Sequence, residues 1–414
     1  VSTKNGESTS LSGALFTATS AACVTGLTVY DTYMHWTLFG QIVIIIMIQV
    51  GGLGFMSVAT VFSLLLGRRI GLKERELMQE AVNTLQVGGV VRLMRFIICG
   101  TLIAEGLGAI LLSIRFIPEM GAARGIWNGI FHSVSAFCNA GFDLMGKKAA
   151  FSSLSFYYND IYVNIIVMIL IIVGGLGFIV WEDIWKNGAR FSKYKLHSKI
   201  VLVTTAVLLI AGFAMYFIFE YNYTLKGMST GEKLLCSAFQ SATFRTAGFG
   251  TVDFSDLSPS MVIVASGLMI IGGSPGSTAG GFKTTTAAVL FLGTVSVIRK
   301  RKSVSVFNRR FEDNLLKKVS SIVFIYLFAA IFAVAVICAA DGAELEAVMI
   351  EVFSAMGTVG LSMGLTPSLC LFSRLFITAL MFFGRIGGLS IVIALAGGEL
   401  EAPIEAPVEK ISVG

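Results

Sequence analysis

The 414-residue sequence predicts an all-α membrane protein made of four similar units around one pore. Hydrophobic residues make up 55% of the chain and charged residues only 14%, and the mean hydropathy is +0.82. A soluble domain carries about 25% charged residues. A short glycine-centred loop recurs at nearly regular intervals, around Gly26, Gly141, Gly248 and Gly360. A simple turn between packed helices would not need four copies, so this recurrence indicates an internal repeat.

Apolar runs long enough to cross a bilayer, about 20 residues each, fall at 36–66, 93–117, 160–185, 199–220, 259–298, 315–340 and 368–396. Lys and Arg are concentrated in the connections 67–95, 186–199 and 299–318, which the positive-inside rule places in the cytoplasm. We therefore expect a multi-pass protein of the cell membrane, in contact with lipid, whose glycine-centred loops face the outside. The membrane topology accounts for where the basic residues lie, so the net charge of +6 does not require a nucleic-acid partner.

Each predicted unit consists of an outer helix, a short re-entrant helix with its loop, and an inner closing helix. The first unit, including its cytoplasmic connection, lacks the outer helix, so that helix is expected to be absent from this chain. The third unit has a broken inner helix, and a cytoplasmic tail follows the fourth. The boundaries are 1–92, 93–198, 199–314 and 315–396 for the units and 397–414 for the tail.

The inner helices carry glycine motifs. The pentapeptide GGLGF occurs at 51–55 and again at 174–178, the second time inside an expected helix from Ile161 to Trp185. The third inner helix begins at Pro259 and meets GGSPGSTAGG at 272–281. So many glycines and a proline cannot continue a straight helix, which predicts a break at membrane depth.

The loops have the chemistry of a potassium filter. Backbone carbonyls can replace the water around potassium without a full charge that would trap the ion, and glycine reaches a positive φ without strain. The short helices direct their partially negative ends toward the axis. The alternative is that the loops are tight turns between packed helices. The predicted filter consists of Val24, Thr25, Gly26, Leu27, Asn139, Ala140, Gly141, Phe142, Thr246, Ala247, Gly248, Phe249, Thr358, Val359, Gly360 and Leu361.

The glycine-rich break should lie below the filter, where its backbone and hydroxyl groups can narrow the pathway and where such a segment can move at small cost; the alternative is a passive kink. Arg385 is costly inside a bilayer. It either forms an electrostatic barrier or pairs with a carboxylate or loop carbonyls. Lys283 either snorkels toward the cytoplasm or positions the loop. The predicted gate comprises Gly272, Gly273, Ser274, Gly276, Ser277, Thr278, Gly280, Gly281, Lys283 and Arg385.

Two other polar residues stand out beside apolar segments. Arg245 precedes the third loop, and we expect it to brace the filter by donating to carbonyls. Glu105, in an outer helix, is expected to be a buried hydrogen-bonding partner.

The chain resembles the Ktr, Trk and plant HKT superfamily of potassium transporters, and most of all a Ktr-type membrane subunit. The resemblance rests on VTGL at 24–27, NAGF at 139–142, RTAGF at 245–249, GTVGLSMGLTP at 357–367, the two GGLGF segments, GGSPGSTAGGFKTTT at 272–286 and GRIGG at 384–388. It implies four pseudo-repeats around one pore, a gate at the glycine-rich segment, a homodimer, a cytosolic ring of nucleotide-binding regulatory subunits, and potassium as substrate with no bound cofactor. Phe244 and Gly388 stand where relatives often have proline.

The resemblance also bears on ion choice. Sodium-selective plant members have serine at the first filter glycine, so Gly26 favours potassium. The alternative is a sodium-selective or sodium-coupled cation transporter.

Other functions are disfavoured. The chain contains no Walker or GxGxxG motif, so nucleotide regulation would need another chain. Its spanning segments contain no paired aspartates, and His35, His132 and His197 are widely separated, which argues against an enzyme or a histidine metal site. The six cysteines form no CxxC motif and are expected to be small buried residues.

Overall fold

The structure is a computed structural model that describes residues 2–4, 9–54, 90–301, 303–312 and 314–387. Its helices are α1 (Leu11–Ala22), α2 (Thr32–His35), α3 (Leu38–Leu53), α4 (Val90–Met120), α5 (Ala122–Phe137), α6 (Ile161–Gly175), α7 (Phe178–Asn187), α8 (Leu196–Phe219), α9 (Thr230–Thr243), α10 (Pro259–Ile270), α11 (Thr284–Ile298), α12 (Leu315–Asp341), α13 (Leu345–Gly357) and α14 (Leu371–Ile386). A small hairpin pairs Ser305–Val306 with Arg309–Arg310. Short 3-10 turns lie at Met145–Lys147, Ser155–Tyr157, Phe191–Lys193 and Thr366–Ser368.

Several expectations fall outside the described residues. They are the part of the first inner helix that follows Gly54, the basic residues 68–75, the end of the fourth inner helix with Gly388, and the tail 397–414.

Helices α4, α8 and α12 are each long and apolar enough to cross a membrane. Their outward faces are apolar as well, since Ile103, Ile210 and Ile331 are each more than 60% exposed. Apolar side chains on the outside of a bundle favour lipid as the surrounding solvent. Helices α3, α10 and α11 are apolar but shorter.

Capping residues determine where several helices begin. Ser229 and Glu232 form a capping box at α9. Ser258 accepts a hydrogen bond from the Met261 N–H at α10, where Pro259 occupies the first turn. These caps satisfy backbone groups that a helix start leaves free.

The short helices α1, α5, α9 and α13 lie among the longer ones. Helix α1 packs on α3 and α14, α5 on α3, α4 and α6, and α13 on α10, α12 and α14, while α9 packs on α6 and α8. Each of these four helices thus contacts at least two others. All four end within a few residues of a loop glycine, so their C-terminal ends converge on one region.

The second inner helix differs from the expectation of one continuous helix from Ile161 to Trp185. The chain bends by 97° between α6 and α7. Gly177 has a φ of +92°, and the Phe178 N–H donates to the Gly276 carbonyl at 2.8 Å instead of continuing the helix. A partner about a hundred residues away therefore breaks this helix, which the local sequence could not reveal.

The third inner helix is divided too. Helix α10 ends at Ile270 and α11 begins at Thr284. Between them the chain folds back on itself, because the Gly272 N–H donates to the Phe282 carbonyl at 2.9 Å and the Phe282 N–H to the Ile270 carbonyl at 3.3 Å. The glycine-rich segment is consequently a compact loop and not a bent helix.

Candidate functional site

The four glycine-centred loops meet in a closed ring. A Cβ atom on Gly26 would collide with the Ala140 carbonyl of the second loop, and one on Gly141 would lie 2.9 Å from the Gly248 Cα of the third. A Cβ on Gly248 would collide with the Val359 carbonyl, and one on Gly360 with the Thr25 carbonyl. Each loop therefore contacts the next, and the fourth contacts the first.

The same backbone bend recurs in all four loops. The φ angles of Gly26, Gly141, Gly248 and Gly360 are +93°, +69°, +77° and +96°. The residue two positions earlier is left-handed as well, with φ between +51° and +67° at Val24, Asn139, Thr246 and Thr358. A non-glycine residue in this region costs about 1–2 kcal/mol, so the surrounding contacts must hold the bend in place.

A cavity of about 500 Å³ lies against the ring and is lined by all four glycines. Its wall includes the carboxylates Asp31, Asp143 and Asp253. Burial, together with the charge of Asp31, raises the pKa of the Asp143 carboxyl to about 7. Acidic side chains that line a cavity attract cations to it.

Buried hydroxyl groups hold the loops from behind. In the first and fourth loops, Ser20 and Ser354 accept hydrogen bonds from the N–H groups of Gly26 and Gly360, at 3.0 and 2.9 Å. In the second and third, Ser135 and Thr243 donate to the carbonyls of Phe142 and Phe249, both at 2.7 Å. Sequence reasoning missed these residues, although a serine six positions before the glycine recurs in three of the loops.

One side-chain contact joins neighbouring loops. The Asn139 amide and the Thr246 hydroxyl lie 3.3 Å apart. In the amide orientation that satisfies both groups, Thr246 donates to Asn139 Oδ1 while Nδ2 faces the carbonyls of Ile171, Ala136 and Phe137 at 3.2–3.3 Å. The hydroxyls of Thr25 and Thr358 are fully buried without a hydrogen-bond partner in the described part of the chain.

The glycines of the inner helices allow close approach to the short helices. A Cβ on Gly51 would collide with the Ala22 carbonyl, one on Gly174 with the Phe137 carbonyl and one on Gly384 with the Met356 carbonyl. In each case the carbonyl belongs to the residue four positions before the loop glycine. The GGLGF and GRIGG motifs thus support the ring by the same contact in three places.

The glycine-rich segment 272–281 lies directly against the inner end of the ring. A Cβ on Gly280 would collide with Thr358 Oγ1, and the Thr278 hydroxyl donates to the Phe137 carbonyl at 3.0 Å. The segment is also tied to the inner helices. The N–H groups of Ser274 and Thr278 donate to the carbonyls of Gly175 and Gly174 at 3.0 and 3.3 Å, and Gly281 donates to Gly384 at 3.2 Å.

Two cationic side chains of the predicted gate bind carbonyl oxygens. The Arg385 guanidinium, half-buried, donates to the carbonyls of Thr278 and Gly51 and, at 3.1 Å, to that of Gly52. Lys283 Nζ donates to the Ala279 carbonyl at 2.8 Å. Of the two expectations for Arg385, pairing with loop carbonyls is therefore present in this structure. Of the two for Lys283, positioning of the loop is the one seen.

Arg245 differs from its expected role. It is buried, and its Nη2 lies 3.4 Å from the Gly272 carbonyl, which belongs to the glycine-rich segment and not to the filter. Glu105 is buried as expected and accepts hydrogen bonds from Gln49 at 3.1 Å and from the Cys138 thiol at 3.7 Å.

The polar groups that lie beside the four glycines of the ring are backbone carbonyl oxygens. Across the described residues, no three His, Cys, Asp or Glu side chains come together to hold a metal ion. The structure brings the four predicted filter loops together at their glycines, and it places Gly280 of the predicted gate against Thr358.

Comparison with known proteins identifies the family of this chain. A family model described as TrkH, cation transport protein, matches residues 1–400. The chain is 41% identical to the potassium/sodium uptake protein NtpJ of Enterococcus hirae, over 99% of this chain and 91% of that protein. It is 39% identical to the Ktr system potassium uptake protein B of Bacillus subtilis, over 97% of this chain and 89% of that protein.

The crystal structure of the potassium transporter TrkH from Vibrio parahaemolyticus superposes with a TM-score of 0.72, at 17% identity, over 94% of this chain and 79% of that one. At that identity the likeness concerns the fold. The family match and the sequence relatives carry the further conclusion that the chain is a transporter and not an enzyme. Since the match extends over nearly the whole chain, the protein belongs to the TrkH family of cation transport proteins.

Proposed function

We propose that this chain takes up potassium across the cell membrane through a filter made by the backbone carbonyls of its four loops. The closed ring of Gly26, Gly141, Gly248 and Gly360 is the observation that carries the proposal. Carbonyl oxygens arranged around an axis replace the hydration shell of potassium. The sixteen loop residues predicted from the sequence would supply these oxygens, with potassium as the substrate and no cofactor bound by the chain.

The architecture that goes with this function is four pseudo-repeats around one pore, with boundaries at 1–92, 93–198, 199–314 and 315–396. The series α4–α5–α6 and α12–α13–α14 support it, since each has a long apolar helix, a second helix that ends at a loop and a third helix. Because the short helices end at the ring, their partially negative ends favour a cation there. The filter would face the outside, and the tail 397–414 the cytoplasm.

The segment 272–281, together with Lys283 and Arg385, would be the gate. Its supports are its contact with Thr358 beneath the ring and its hydrogen bonds to α6 and Arg385. These bonds tie the segment across the pathway, and opening would require several of them to break. The Arg385 charge would act as a barrier to cations that shifts when the segment moves.

Potassium uptake would depend on partners. The Bacillus subtilis relative is named as a component of the Ktr system. By this relationship we infer a homodimer in the lipid bilayer, regulated by a cytosolic ring of nucleotide-binding subunits. The basic connections 186–199 and 299–318 lie on the side where such a ring would dock.

Sodium is the second candidate ion. It is favoured by the name of the Enterococcus hirae relative, potassium/sodium uptake protein. A sodium-selective or sodium-coupled transporter would use the same ring, so ion competition must decide between them.

The test is cation flux into proteoliposomes, with potassium, rubidium, sodium and lithium compared for the native chain and for Gly26→Ser and Gly248→Ser. We expect potassium and rubidium to be preferred, and both substitutions to abolish the preference because their side chains would collide with neighbouring carbonyls. Gly267→Ala is the matched control, since Gly267 lies in α10 with open space around it and no positive φ. Unselective flux through the native chain, or unchanged selectivity in both variants, would refute the filter.

The gate has its own test in the same vesicles. Arg385→Gln removes the charge that holds Thr278 and Gly51. We expect a higher potassium flux with the same order of ion preference. A lower flux with a changed order would instead assign Arg385 to the support of the filter.

A further inference from the structure

A buried carboxylate lies behind the fourth loop. Glu351, on α13, has no exposed surface. Its Oε1 accepts a hydrogen bond from the Thr366 hydroxyl, and its Oε2 has no partner in the part of the chain that the structure describes. Its hydrogen-bond partner among the described residues is thus a hydroxyl group, and burying a carboxyl with an unpaired oxygen costs stability. Glu351 is therefore poorly explained as a device for stabilising the fold.

The partner of Glu351 belongs to the wall of the outer cavity. Thr366 begins a 3-10 turn after the fourth loop and lines the cavity together with Ser362 and Gly364. The Thr366 hydroxyl lies 3.4 Å from Ser362 Oγ, which accepts a hydrogen bond from the Gly364 N–H at 3.0 Å. Glu351 consequently anchors the whole segment that leaves the ring, 361–366.

Two other short helices also bind the residues that follow their loop glycine, here called the exit segment of the loop. On α5, His132 stands nine positions before Gly141, as Glu351 stands nine before Gly360, and its Nε2 accepts a hydrogen bond from the Leu144 N–H at 3.3 Å. On α9, the Gln240 amide donates to the Thr251 hydroxyl at 3.1 Å. Three of the four exit segments thus depend on a buried polar side chain of the preceding short helix.

We propose that Glu351 is a positioning residue for ion selection, which fixes segment 361–366 through Thr366 and so sets the shape of the outer end of the filter. The proposal rests on the proposed function, since it assumes that the ring selects ions. Leu361, the outermost filter residue of the fourth loop, begins this segment. Loss of the anchor would let its carbonyl move, and a filter with a mobile carbonyl adapts to smaller ions.

The test compares potassium and sodium uptake with thermal unfolding for Glu351→Leu, Thr366→Val, the double variant and Glu351→Gln. Each of the first two leaves one polar group without its partner and should lower both the melting temperature and selectivity. Glu351→Gln keeps an acceptor for Thr366 and should preserve selectivity. In the double variant both polar groups are replaced by apolar ones of similar shape, which can restore stability.

The double variant separates a positioning role from a structural one. We expect it to recover the melting temperature but to keep a potassium-to-sodium ratio that is roughly three- to tenfold below that of the native chain, as the loss of one hydrogen bond implies. Recovery of the native ratio in the double variant would overturn the proposal, as would a native ratio in Glu351→Leu.

Glu220→Leu is the matched control for Glu351→Leu, because Glu220 is equally buried but binds Thr224 and Ser258 away from the cavity. It should leave the ratio unchanged, and an equal fall in this control would also overturn the proposal. A native chain without preference for potassium would overturn the proposed function itself and this inference with it.

Discussion

The two halves of the glycine ring are held by hydroxyl groups that accept a hydrogen bond in one half and donate one in the other. In the half made by the first and fourth loops, Ser20 and Ser354 accept from the N–H of the glycine. In the half made by the second and third loops, Ser135 and Thr243 donate to the carbonyl of the residue after the glycine. The loops have one backbone shape, but the contacts that maintain it differ between the halves.

This difference has a consequence for the ion pathway. A carbonyl that already accepts a hydroxyl proton is a weaker ligand, which applies to Phe142 and Phe249. The described residues supply no such hydroxyl to the carbonyls of Leu27 and Leu361. We therefore expect an ion at the outer end of the ring to lie closer to the first and fourth loops, so that the site has less than fourfold symmetry.

The largest expected effect removes the feature that both halves share. Gly360→Ala and Gly248→Ala would each place a Cβ against a carbonyl oxygen, at φ angles of +96° and +77° that disfavour any side chain. We expect both to reduce rubidium uptake into vesicles more than tenfold, an effect of about 1.4 kcal/mol or more. Uptake near the native rate in either variant would mean that this half of the ring does not form the pathway.

A smaller effect should distinguish the halves. Ser354→Ala leaves the half-buried Gly360 N–H without its acceptor, which costs about 1 kcal/mol. Ser135→Ala frees the carbonyl of Phe142, and an under-satisfied carbonyl is tolerated better than an orphaned N–H. We expect the first variant to lower the melting temperature and potassium selectivity more than the second.

Both serines are fully buried, so the two variants are matched in side chain and surroundings. Equal losses of melting temperature and selectivity in Ser354→Ala and Ser135→Ala would remove the distinction between the halves.

Features that repeat, or that depend on backbone conformation, could be predicted from the sequence alone. A glycine at a sharp turn can be recognised directly in the sequence, and the four loops could therefore be located and compared. The GGLGF motif was visible for the same reason. Its physical role was not, because the carbonyls that Gly51 and Gly174 approach belong to other helices.

Features that depend on a distant partner could not be predicted. The bend after α6 exists because Phe178 donates to Gly276, and the carbonyl partners of Arg385 come from α3 and from the glycine-rich segment. Arg245 was placed beside the right loop but assigned the wrong acceptor, since its side chain reaches Gly272. Membership of the cation transport family is confirmed by the comparisons. The binding of potassium by these residues stays a prediction.

The smallest expected effect concerns the contact within one half. Asn139 and Thr246 join the second and third loops, whereas the Thr25 and Thr358 hydroxyls of the other half have no partner among the described residues. A single Asn139→Ala variant would confuse two effects, because asparagine also tolerates the φ of +58° better than alanine. A double-mutant cycle with Thr246→Val cancels that backbone cost and leaves the pairwise contribution.

We expect a coupling free energy of about 0.5–1.5 kcal/mol in thermal or denaturant unfolding. Thr358→Val serves as the control in the other half, where loss of an unpartnered buried hydroxyl should leave stability unchanged or raise it. Coupling near zero between Asn139 and Thr246 would mean that adjacent loops are held only by their backbones and by the serine and threonine contacts behind them. Asymmetry between the halves would then arise behind the ring and not within it.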